Sequence, residues 1–149
     1  MASPALRYGR WSHTGNVYAL TTVTHARRPW FIDKANVELL IEALRTVERT
    51  GRTFSLGWVI MPDHLHWLME LRTGTLAGRM QILKSRSGRS IATRVDANVP
   101  IWQPGYYDHA LRSDECLHTQ ARYIAANPVR AGLATRIAEY PYACLLYTS

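Results

Sequence analysis

The spacing of hydrophobic and polar residues predicts the first elements of the fold. Residues 16–24 are rich in β-branched and aromatic side chains and are short enough to form a strand. Asp33 is a good helix N-cap, and apolar residues recur behind it at helical spacing until Gly51. Residues 54–61 are again typical of a strand. We therefore expect a strand, an amphipathic helix and a second strand.

A hairpin and a second helix are predicted next. Residues 62–63 favour a tight turn, so a third strand over residues 64–71 can pair with the second. Helical spacing continues over residues 75–95, although Ser87 and Gly88 predict an interruption of this helix. The hairpin is therefore expected at the centre of the molecule.

The last elements are predicted from aromatic residues and a capping pattern. Residues 101–111 surround a Pro-Gly turn and predict an irregular fourth strand of the same sheet. Ser113 or Asp114 then caps a third helix, which is expected to run to about Ala126 before Pro128 stops it. The order β-α-β-β-α-β with an appended C-terminal helix is that of a ferredoxin-like α+β sandwich with an antiparallel sheet.

Length and composition indicate one globular domain. With 149 residues, of which 47% are hydrophobic, the chain can form one packed core, and a second domain is not expected. Residues 1–8 contain no apolar segment of signal-peptide length, and no apolar run approaches the ~20 residues that span a membrane. Cys116 and Cys144 match no zinc spacing and are too few for a disulfide framework. We therefore expect a soluble, cytoplasmic protein without membrane insertion.

The last six residues look foreign to the chain. Residues 144–149 resemble the translation of a transposon-end sequencing adapter, and the alternative is an ordinary apolar tail. We therefore expect one domain over residues 1–143, followed by a non-native tail over residues 144–149.

The charge of the chain favours a polyanionic partner. The formal net charge of +7 arises from 18 basic and 11 acidic residues, and 16 of the basic residues are arginines. Arginine suits phosphate because its planar guanidinium can bond two oxygens at once, although charge alone fits a merely basic surface equally well. Residues 71–95 carry six basic residues and no acidic one, which predicts a phosphate-contact surface, with a solvated helix face as the alternative. These six are Arg72, Arg79, Lys84, Arg86, Arg89 and Arg94.

Two histidines in the third predicted strand can hold a metal ion. Because side chains alternate along a strand, His64 and His66 lie on one face, while Leu65 and Trp67 lie on the other. Adjacent imidazoles can bind a divalent cation, but they do not reveal the third ligand. The alternative is a pair of half-exposed histidines. The apolar hairpin favours the metal site, because imidazoles buried there need partners.

The third predicted helix brings a phenol next to a carboxamide. Tyr123 and Asn127 are four residues apart, so they project from the same helix face. Taken alone, this pattern favours an aromatic residue packed on the core and an asparagine that caps the helix end.

Several motifs follow one another along the chain. They are Met61-Pro-Asp-His-Leu-His66, Lys84, Trp102-Gln-Pro-Gly-Tyr-Tyr-Asp-His109, Leu111-Arg112 and Tyr123-Ile-Ala-Ala-Asn-Pro-Val-Arg-Ala-Gly-Leu133. In this order they resemble the REP-associated tyrosine transposases, which belong to the HUH single-strand transposases with one catalytic tyrosine. The resemblance runs from about residue 18 to residue 142.

The resemblance implies roles for four residues. His64 and His66 would be the metal-binding pair of the HUH motif, and Tyr123 would be the nucleophile. Asn127 would be the third metal ligand, in place of a glutamine in the insertion-sequence relatives.

The implied reaction is metal-dependent cleavage and rejoining of single-stranded DNA. Mg²⁺ or Mn²⁺ would polarise the scissile phosphate, and Tyr123 would form a 5′-phosphotyrosine that a free 3′-hydroxyl can later reverse. No nucleotide cofactor is needed, and the protein would act as a monomer or homodimer at the bacterial nucleoid. The DNA would contain imperfect, REP-like hairpins. Arg112 and Arg130 lie in the matching motifs and join the predicted DNA-binding residues.

Two other functions stay open. A non-catalytic single-stranded nucleic-acid-binding module would explain the charge, since ferredoxin-like sheets with aromatic residues often bind single strands. A small metal hydrolase would use the histidines to activate water and leave Tyr123 structural. The binding module and the metal hydrolase both predict no covalent DNA adduct.

The aromatic residues near the fourth predicted strand have two possible roles. Trp102, Tyr106 and Tyr107 could stack on bases or pack in the core, and for Trp102 the core is favoured.

Overall fold

The structure is a computed structural model that describes residues 16–146. Its strands and helices are β1 (Asn16–Val23), α1 (Lys34–Arg49), β2 (Thr53–Met61), β3 (His64–Leu71), α2 (Leu76–Val95), β4 (Tyr107–Leu111), α3 (Asp114–Arg130) and β5 (Ala143–Leu145). Short 3-10 helices occupy His25–Arg27, Trp30–Ile32 and Ile137–Glu139. The predictions for residues 1–8 and for residues 147–149 lie outside the described range.

The strands form one antiparallel sheet in the order β4-β1-β3-β2-β5. The central strand β3 pairs with β1, where Thr21 lies opposite His66, and with β2, where Met61 lies opposite His64. The first four strands together with α1 and α2 follow the order β-α-β-β-α-β, and α3 is appended. The predicted ferredoxin-like α+β sandwich is therefore confirmed.

Each face of the sheet is covered by different helices. Helices α1 and α2 pack on one face, in a core that includes Leu20, Trp67 and Leu83. Helix α3 packs on the other face, in a core that includes Leu68 and Ile124. Neighbouring residues of β3 thus enter opposite cores, as alternation along a strand requires.

Side-chain caps begin all three helices. The Asp33 carboxylate accepts a hydrogen bond from the Ala35 amide at 3.0 Å, which confirms the predicted start of α1. The Thr75 hydroxyl caps α2 in the same way, and the Ser113 hydroxyl accepts from the Cys116 amide at 3.1 Å at the start of α3. Of the two residues predicted to cap α3, Ser113 therefore fills the role.

The predicted interruption of α2 is wrong, because the helix runs without a break through Ser87 and Gly88. The buried Ser87 hydroxyl donates to the Leu83 carbonyl at 2.7 Å and accepts from Trp102 Nε1 at 2.9 Å. A Cβ added to Gly88 would lie 3.6 Å from the Trp102 ring. These two small residues let the tryptophan approach the helix, so packing rather than a turn explains them.

The predicted stop of α3 at Pro128 is also wrong, because the helix continues to Arg130. The proline is buried, and its carbonyl accepts a hydrogen bond from the Leu133 amide at 2.8 Å. Gly132 then ends the segment with a φ of +77°, a conformation that favours glycine. A proline cannot donate one of the helical hydrogen bonds. Burial of the Pro128 ring and the hydrogen bond from Leu133 compensate for that loss, so the helix continues.

The fourth predicted strand is shorter than residues 101–111. Only β4 joins the ladder, while Trp102 forms an isolated bridge with Thr24. The edge strand β5 was not predicted. It pairs with β2 at Gly57, where the absence of a side chain leaves room for Leu145, because a Cβ at this position would collide with Leu145. It includes two residues of the segment expected to be non-native, and their origin stays a prediction.

Two further properties concern the described chain as a whole. Within residues 16–146, no helix has the length and apolarity needed to cross a membrane. Cys116 and Cys144 are both exposed and free.

Candidate active site

His64 and His66 lie side by side on the α3 face of β3. The residues that alternate with them, Leu65 and Trp67, are buried in the opposite core, which confirms the predicted alternation. The two imidazole rings are 4.8 Å apart between centroids, at an interplanar angle of 89°. A central strand therefore fixes both rings beneath α3.

Helix α3 brings Asn127 to the two histidines. Its Nδ2 atom lies 2.9 Å from His66 Nε2 and 3.4 Å from His64 Nε2. Two imidazole nitrogens from a strand thus converge on one carboxamide from a helix. The structure brings together the three residues that the resemblance implied as metal ligands.

Tyr123 lies one helical turn before Asn127, and 57% of its surface is exposed. It is therefore not a core residue. The Arg130 guanidinium carbon lies 4.2 Å from the centre of the Tyr123 ring. Arg130 Nη2 also donates to the Tyr123 carbonyl at 2.7 Å and to Asn127 Oδ1 at 3.2 Å. One arginine thus contacts both the predicted nucleophile and the predicted third ligand.

A small cavity of about 90 Å³ lies between β1, β3 and α3. Thr21, His66, Gln120 and Tyr123 are among the residues that line it. A larger, mainly apolar cleft of about 570 Å³ lies between α2 and residues 99–106 on the opposite face, away from this group. The small cavity, not the large cleft, joins an imidazole and a phenol.

The electrostatic environment keeps His66 neutral at ordinary pH. Burial, followed by the nearby charges of His64 and Arg130, lowers the pKa of His66 to about 4. Burial has this effect because it disfavours the charged imidazolium. A neutral imidazole has a lone pair and can bind a cation, so His66 suits the role of a metal ligand.

Two imidazoles and one carboxamide are the donors present at this site. The described residues contain no cluster of three or more His, Cys, Asp or Glu that could hold a metal, so a third donor here must come from another residue type. Imidazole nitrogen suits divalent transition metals, and carbonyl oxygen also suits Mg²⁺ and Mn²⁺. The side chains of His64, His66 and Asn127 therefore fit a divalent cation, and the ligand assignment stays a prediction.

Of the six basic residues between Leu71 and Val95, Arg79 is buried and Lys84 is partly buried. Arg79 is only 8% exposed, and its guanidinium lies against Gly74. Lys84 donates to the carbonyls of Gln103 at 2.8 Å and Gly105 at 2.5 Å. Burial lowers the pKa of Lys84. Lys84 therefore anchors the loop before β4.

Two more of these basic residues are in ion pairs. Arg94 Nη1 donates to Asp33 at 2.9 Å and to Asn36 at 3.0 Å, and it thereby joins α2 to the start of α1. Arg72 pairs with Glu70 at 2.9 Å. The predicted phosphate surface therefore includes residues with structural contacts.

The remaining predicted DNA contacts lie on two faces. Arg86 and Arg89 are exposed on α2, on the opposite side of the sheet from the histidines. Arg112 is exposed just before α3, and Arg130 is exposed on it. Proximity to the histidines thus favours Arg130, which contacts Asn127. Arg112 follows Leu111 at the end of β4 that lies away from the histidines, so exposure alone supports it, as it does Arg86 and Arg89.

The three aromatic residues near β4 have different environments. Trp102 is buried against Phe31, which confirms the predicted core position. Tyr106 is partly buried, and burial followed by the charge of Asp108 raises the pKa of its phenol. Tyr107 is exposed, so of the three it has the ring most open to a base.

Two residues that contact the histidines from behind were not predicted from the sequence. Asp63 Oδ1 lies 2.7 Å from His64 Nδ1, and Thr21 Oγ1 lies 3.1 Å from His66 Nδ1. The adjacency of Asp63 to His64 was a usable signal, although it was interpreted only as a turn. Thr21 becomes a neighbour of His66 only through the pairing of β1 with β3, which the sequence does not specify.

Comparisons with known proteins identify similar chains. A family model described as "Transposase IS200 like" matches residues 12–127. A REP-associated tyrosine transposase of Escherichia coli K12 is 25% identical over 138 residues, which cover 91% of this chain and 79% of that protein. A protein of Haemophilus influenzae, provisionally given the same name, is 31% identical over 94 residues, which cover 56% of this chain and 53% of that protein.

A solved structure with a similar fold is among those that match this chain. It is described as a REP-associated tyrosine transposase bound to a REP hairpin, and it superposes with a TM-score of 0.75 at 24% sequence identity. The similarity covers 91% of this chain and 80% of that one. At this identity the comparison supports the fold alone.

Proposed function

Because this chain belongs to the family of IS200-like transposases, enzymes that cut and transfer DNA strands, we propose that it acts on single-stranded DNA through a metal-dependent tyrosine nucleophile. One observation carries the proposal. The Nε2 atoms of His64 and His66 converge on the Asn127 amide, one helical turn from Tyr123. A cation-binding group and a nucleophile therefore lie on adjoining elements.

The proposed metal ligands are His64, His66 and Asn127. When bound, Mg²⁺ or Mn²⁺ supplies a Lewis acid that neutralises the scissile phosphate and stabilises the departing oxygen. The histidines present Nε2 atoms to the site. Asn127 presents its amide nitrogen there, while its oxygen faces Arg130, so the carboxamide must turn over before the oxygen can bind a cation.

Tyr123 is the proposed nucleophile. Its phenolic oxygen forms a bond to phosphorus and loses its proton, while the bond to the 3′-oxygen breaks and that oxygen gains a proton. The product is a 5′-phosphotyrosine and a free 3′-hydroxyl. The guanidinium of Arg130 over the Tyr123 ring favours the negative charge that develops on the phenol.

The covalent intermediate conserves the phosphodiester energy. A second 3′-hydroxyl can attack the phosphotyrosine and release the Tyr123 phenol, so strand transfer needs neither a nucleotide cofactor nor water. Tyr123 is the one tyrosine assigned this role. Two cleavages then require either two successive reactions on a monomer or two subunits of a homodimer.

The proposed substrate is single-stranded DNA with imperfect hairpins. The E. coli relative is named for its association with REP elements, and the related solved structure carries a REP hairpin. The net charge of +7 and the exposed Arg112 and Arg130 near α3 suit such a polyanion. Exposed Tyr107 offers a ring for an unpaired base.

The decisive experiment detects a covalent adduct. The protein is incubated with a single-stranded hairpin oligonucleotide and Mn²⁺, and a DNA–protein band that survives denaturation is expected. Tyr123→Phe removes the nucleophilic oxygen and should abolish the band. Tyr18→Phe is the matched control because Tyr18 packs against the opposite core, and this variant should keep the band.

Each outcome separates the candidate functions. A band that persists in Tyr123→Phe shows that another residue is the nucleophile, and a band that persists with a chelator shows that no metal is needed. Binding without any adduct favours the non-catalytic nucleic-acid-binding module. Cleavage without an adduct favours the metal hydrolase.

A further inference from the structure

The two histidines of the site each have a separate partner on the ring nitrogen that faces away from Asn127. His64 Nδ1 lies 2.7 Å from an Asp63 carboxylate oxygen, and His66 Nδ1 lies 3.1 Å from the Thr21 hydroxyl. The Nε2 atoms of both rings face Asn127. All four imidazole nitrogens therefore have a defined neighbour.

The chemistry of these neighbours determines where each proton resides. A carboxylate can only accept, so the contact with Asp63 requires a proton on His64 Nδ1. The Arg130 guanidinium can only donate, so the Asn127 atom that faces it must be the amide oxygen. The amide nitrogen of Asn127 therefore points toward the histidines. This nitrogen donates to His66 Nε2 at 2.9 Å, and the proton of neutral His66 therefore lies on Nδ1.

The two partners are held in place by the fold. The second carboxylate oxygen of Asp63 accepts from Arg27 at 3.1 Å. The Asp63 carbonyl accepts from the Thr24 amide at 2.9 Å and from the Thr24 hydroxyl at 3.1 Å. Thr21 lies directly opposite His66 in the pairing of β1 with β3. Neither partner depends on a long, mobile side chain.

We propose that Asp63 and Thr21 are positioning residues that keep His64 and His66 protonated on Nδ1, so that both Nε2 lone pairs face the space beside Asn127. The inference rests on the proposed metal site. Neutral imidazole otherwise exchanges between two forms, and a ring protonated on Nε2 cannot bind a cation through that atom. Hydrogen bonds of this kind orient metal-binding histidines and raise their basicity.

The first experiment measures the proton position directly. Nitrogen-15 NMR of the imidazoles is recorded on metal-free, DNA-free protein at pH 8, above the ordinary histidine pKa of about 6.5. We expect wild-type His64 and His66 to be protonated on Nδ1. In Asp63→Ala the His64 proton should move largely to Nε2. In Thr21→Val the His66 proton should move to Nε2 only in part, because the Asn127 amide still donates to that atom.

Three control variants separate positioning from general damage. Glu42→Ala removes an exposed carboxylate that pairs with Arg49, and Thr46→Val removes a hydroxyl from α1. Both should leave the proton positions unchanged. Arg27→Ala breaks the ion pair of Asp63 but keeps its contact with His64, so it should also preserve the wild-type state.

The second experiment measures the dissociation constant of Mn²⁺ alone by calorimetry. Asp63→Ala and Thr21→Val should each weaken binding by about 10- to 100-fold, the usual effect of removing a partner of a ligating histidine. Asp63→Asn keeps an acceptor oxygen and should restore most of the lost affinity. Glu42→Ala and Thr46→Val should bind Mn²⁺ as the wild type does.

The results that would overturn the inference need no active enzyme. Wild-type His64 or His66 protonated on Nε2 overturns it without any variant. Unchanged proton positions or unchanged Mn²⁺ affinity in Asp63→Ala and Thr21→Val also overturn it. An absent covalent adduct with the expected NMR and Mn²⁺-binding results instead contradicts the proposed strand-transfer function and leaves the positioning roles of Asp63 and Thr21 intact.

Discussion

Asn127 is held between two histidines and one arginine, and these contacts decide what its amide can do. The nitrogen donates toward the imidazoles, while the oxygen accepts from Arg130 at 3.2 Å. Metal binding through the oxygen must break the contact with Arg130. The same guanidinium lies over the Tyr123 ring, so one residue opposes the metal and favours the nucleophile.

Arg130→Ala should therefore change metal binding and cleavage in opposite directions. Loss of a hydrogen bond worth about 1 kcal/mol should tighten Mn²⁺ binding roughly fivefold. The maximal rate of adduct formation at saturating Mn²⁺ should fall, because Tyr123 loses its ring contact and its carbonyl partner. Calorimetry and single-turnover kinetics measure the two effects. Arg122→Ala, an exposed arginine of the same helix, is the matched control for both, and parallel losses in Arg130→Ala would contradict this view.

The buried His66 predicts a pH-dependent stability of the metal-free protein. Its pKa is lowered to about 4 in the folded state, against an ordinary value of about 6.5 in the unfolded chain. Between these values the unfolded chain binds a proton that the folded protein does not. The free energy of unfolding should therefore fall as the pH decreases from 6.5 to 4, by up to about 3 kcal/mol.

Urea unfolding at pH 7 and at pH 4.5 measures this loss. His66→Gln removes the titrating group, so its stability should decrease less than that of the wild type over the same interval. The difference between the two decreases in the free energy of unfolding gives the contribution of His66 apart from that of the carboxylates, which titrate mainly at lower pH. An identical decrease in both proteins would show that His66 is not the cause.

At the scale of elements, local patterns predicted what depends on local geometry. Alternation placed His64 and His66 on one face of β3, and helical spacing placed Tyr123 and Asn127 on one face of α3. The order of elements then indicated the sheet. Three features decided by packing were not predicted correctly, and they are the unbroken α2, the passage of α3 through Pro128 and the edge strand β5.

The continuous α2 depends on Ser87, and its replacement should be costly. The hydroxyl is fully buried and is the acceptor for the buried Trp102 indole nitrogen. Ser87→Ala leaves that nitrogen without its partner and should lower the free energy of unfolding by about 1–3 kcal/mol. Ser90→Ala changes an exposed serine of the same helix and should have almost no effect. Chemical denaturation compares the two, and equal stability would show that the hydrogen bond contributes nothing.

At the scale of the whole molecule, the sheet separates the candidate active site from most of the basic residues of α2. Tyr123, Asn127 and Arg130 lie with α3 on one face, while the basic residues of α2 lie on the other. The sequence showed a run of positive charge but not its division. Because a helix turns its residues in all directions, the fold buries Arg79 and uses Lys84 to anchor a loop. Charge density along a chain is therefore a poor guide to a binding surface.

Salt dependence of DNA binding can test which arginines contact phosphate. Within residues 16–146 the structure shows no ion pair for Arg86 or Arg89, whereas Arg94 pairs with Asp33. Each phosphate contact to a single strand contributes about 0.7 to the slope of log affinity against log salt. If DNA reaches the α2 face, the combined substitution R86A and R89A should reduce this slope by about 1.4. Arg94→Ala should leave it nearly unchanged.

The same titration distinguishes the paths that the DNA can take. Arg112 lies before α3, so Arg112→Ala should reduce the slope by about 0.7 if the strand follows the histidine face. A loss of slope in Arg112→Ala together with an unchanged slope in the R86A and R89A variant would confine the DNA to that face. A loss in both requires a DNA long enough to pass around the edge of the sheet, and shortening the oligonucleotide should then remove the α2 contribution first. This length dependence follows from the position of the sheet between the two charged surfaces.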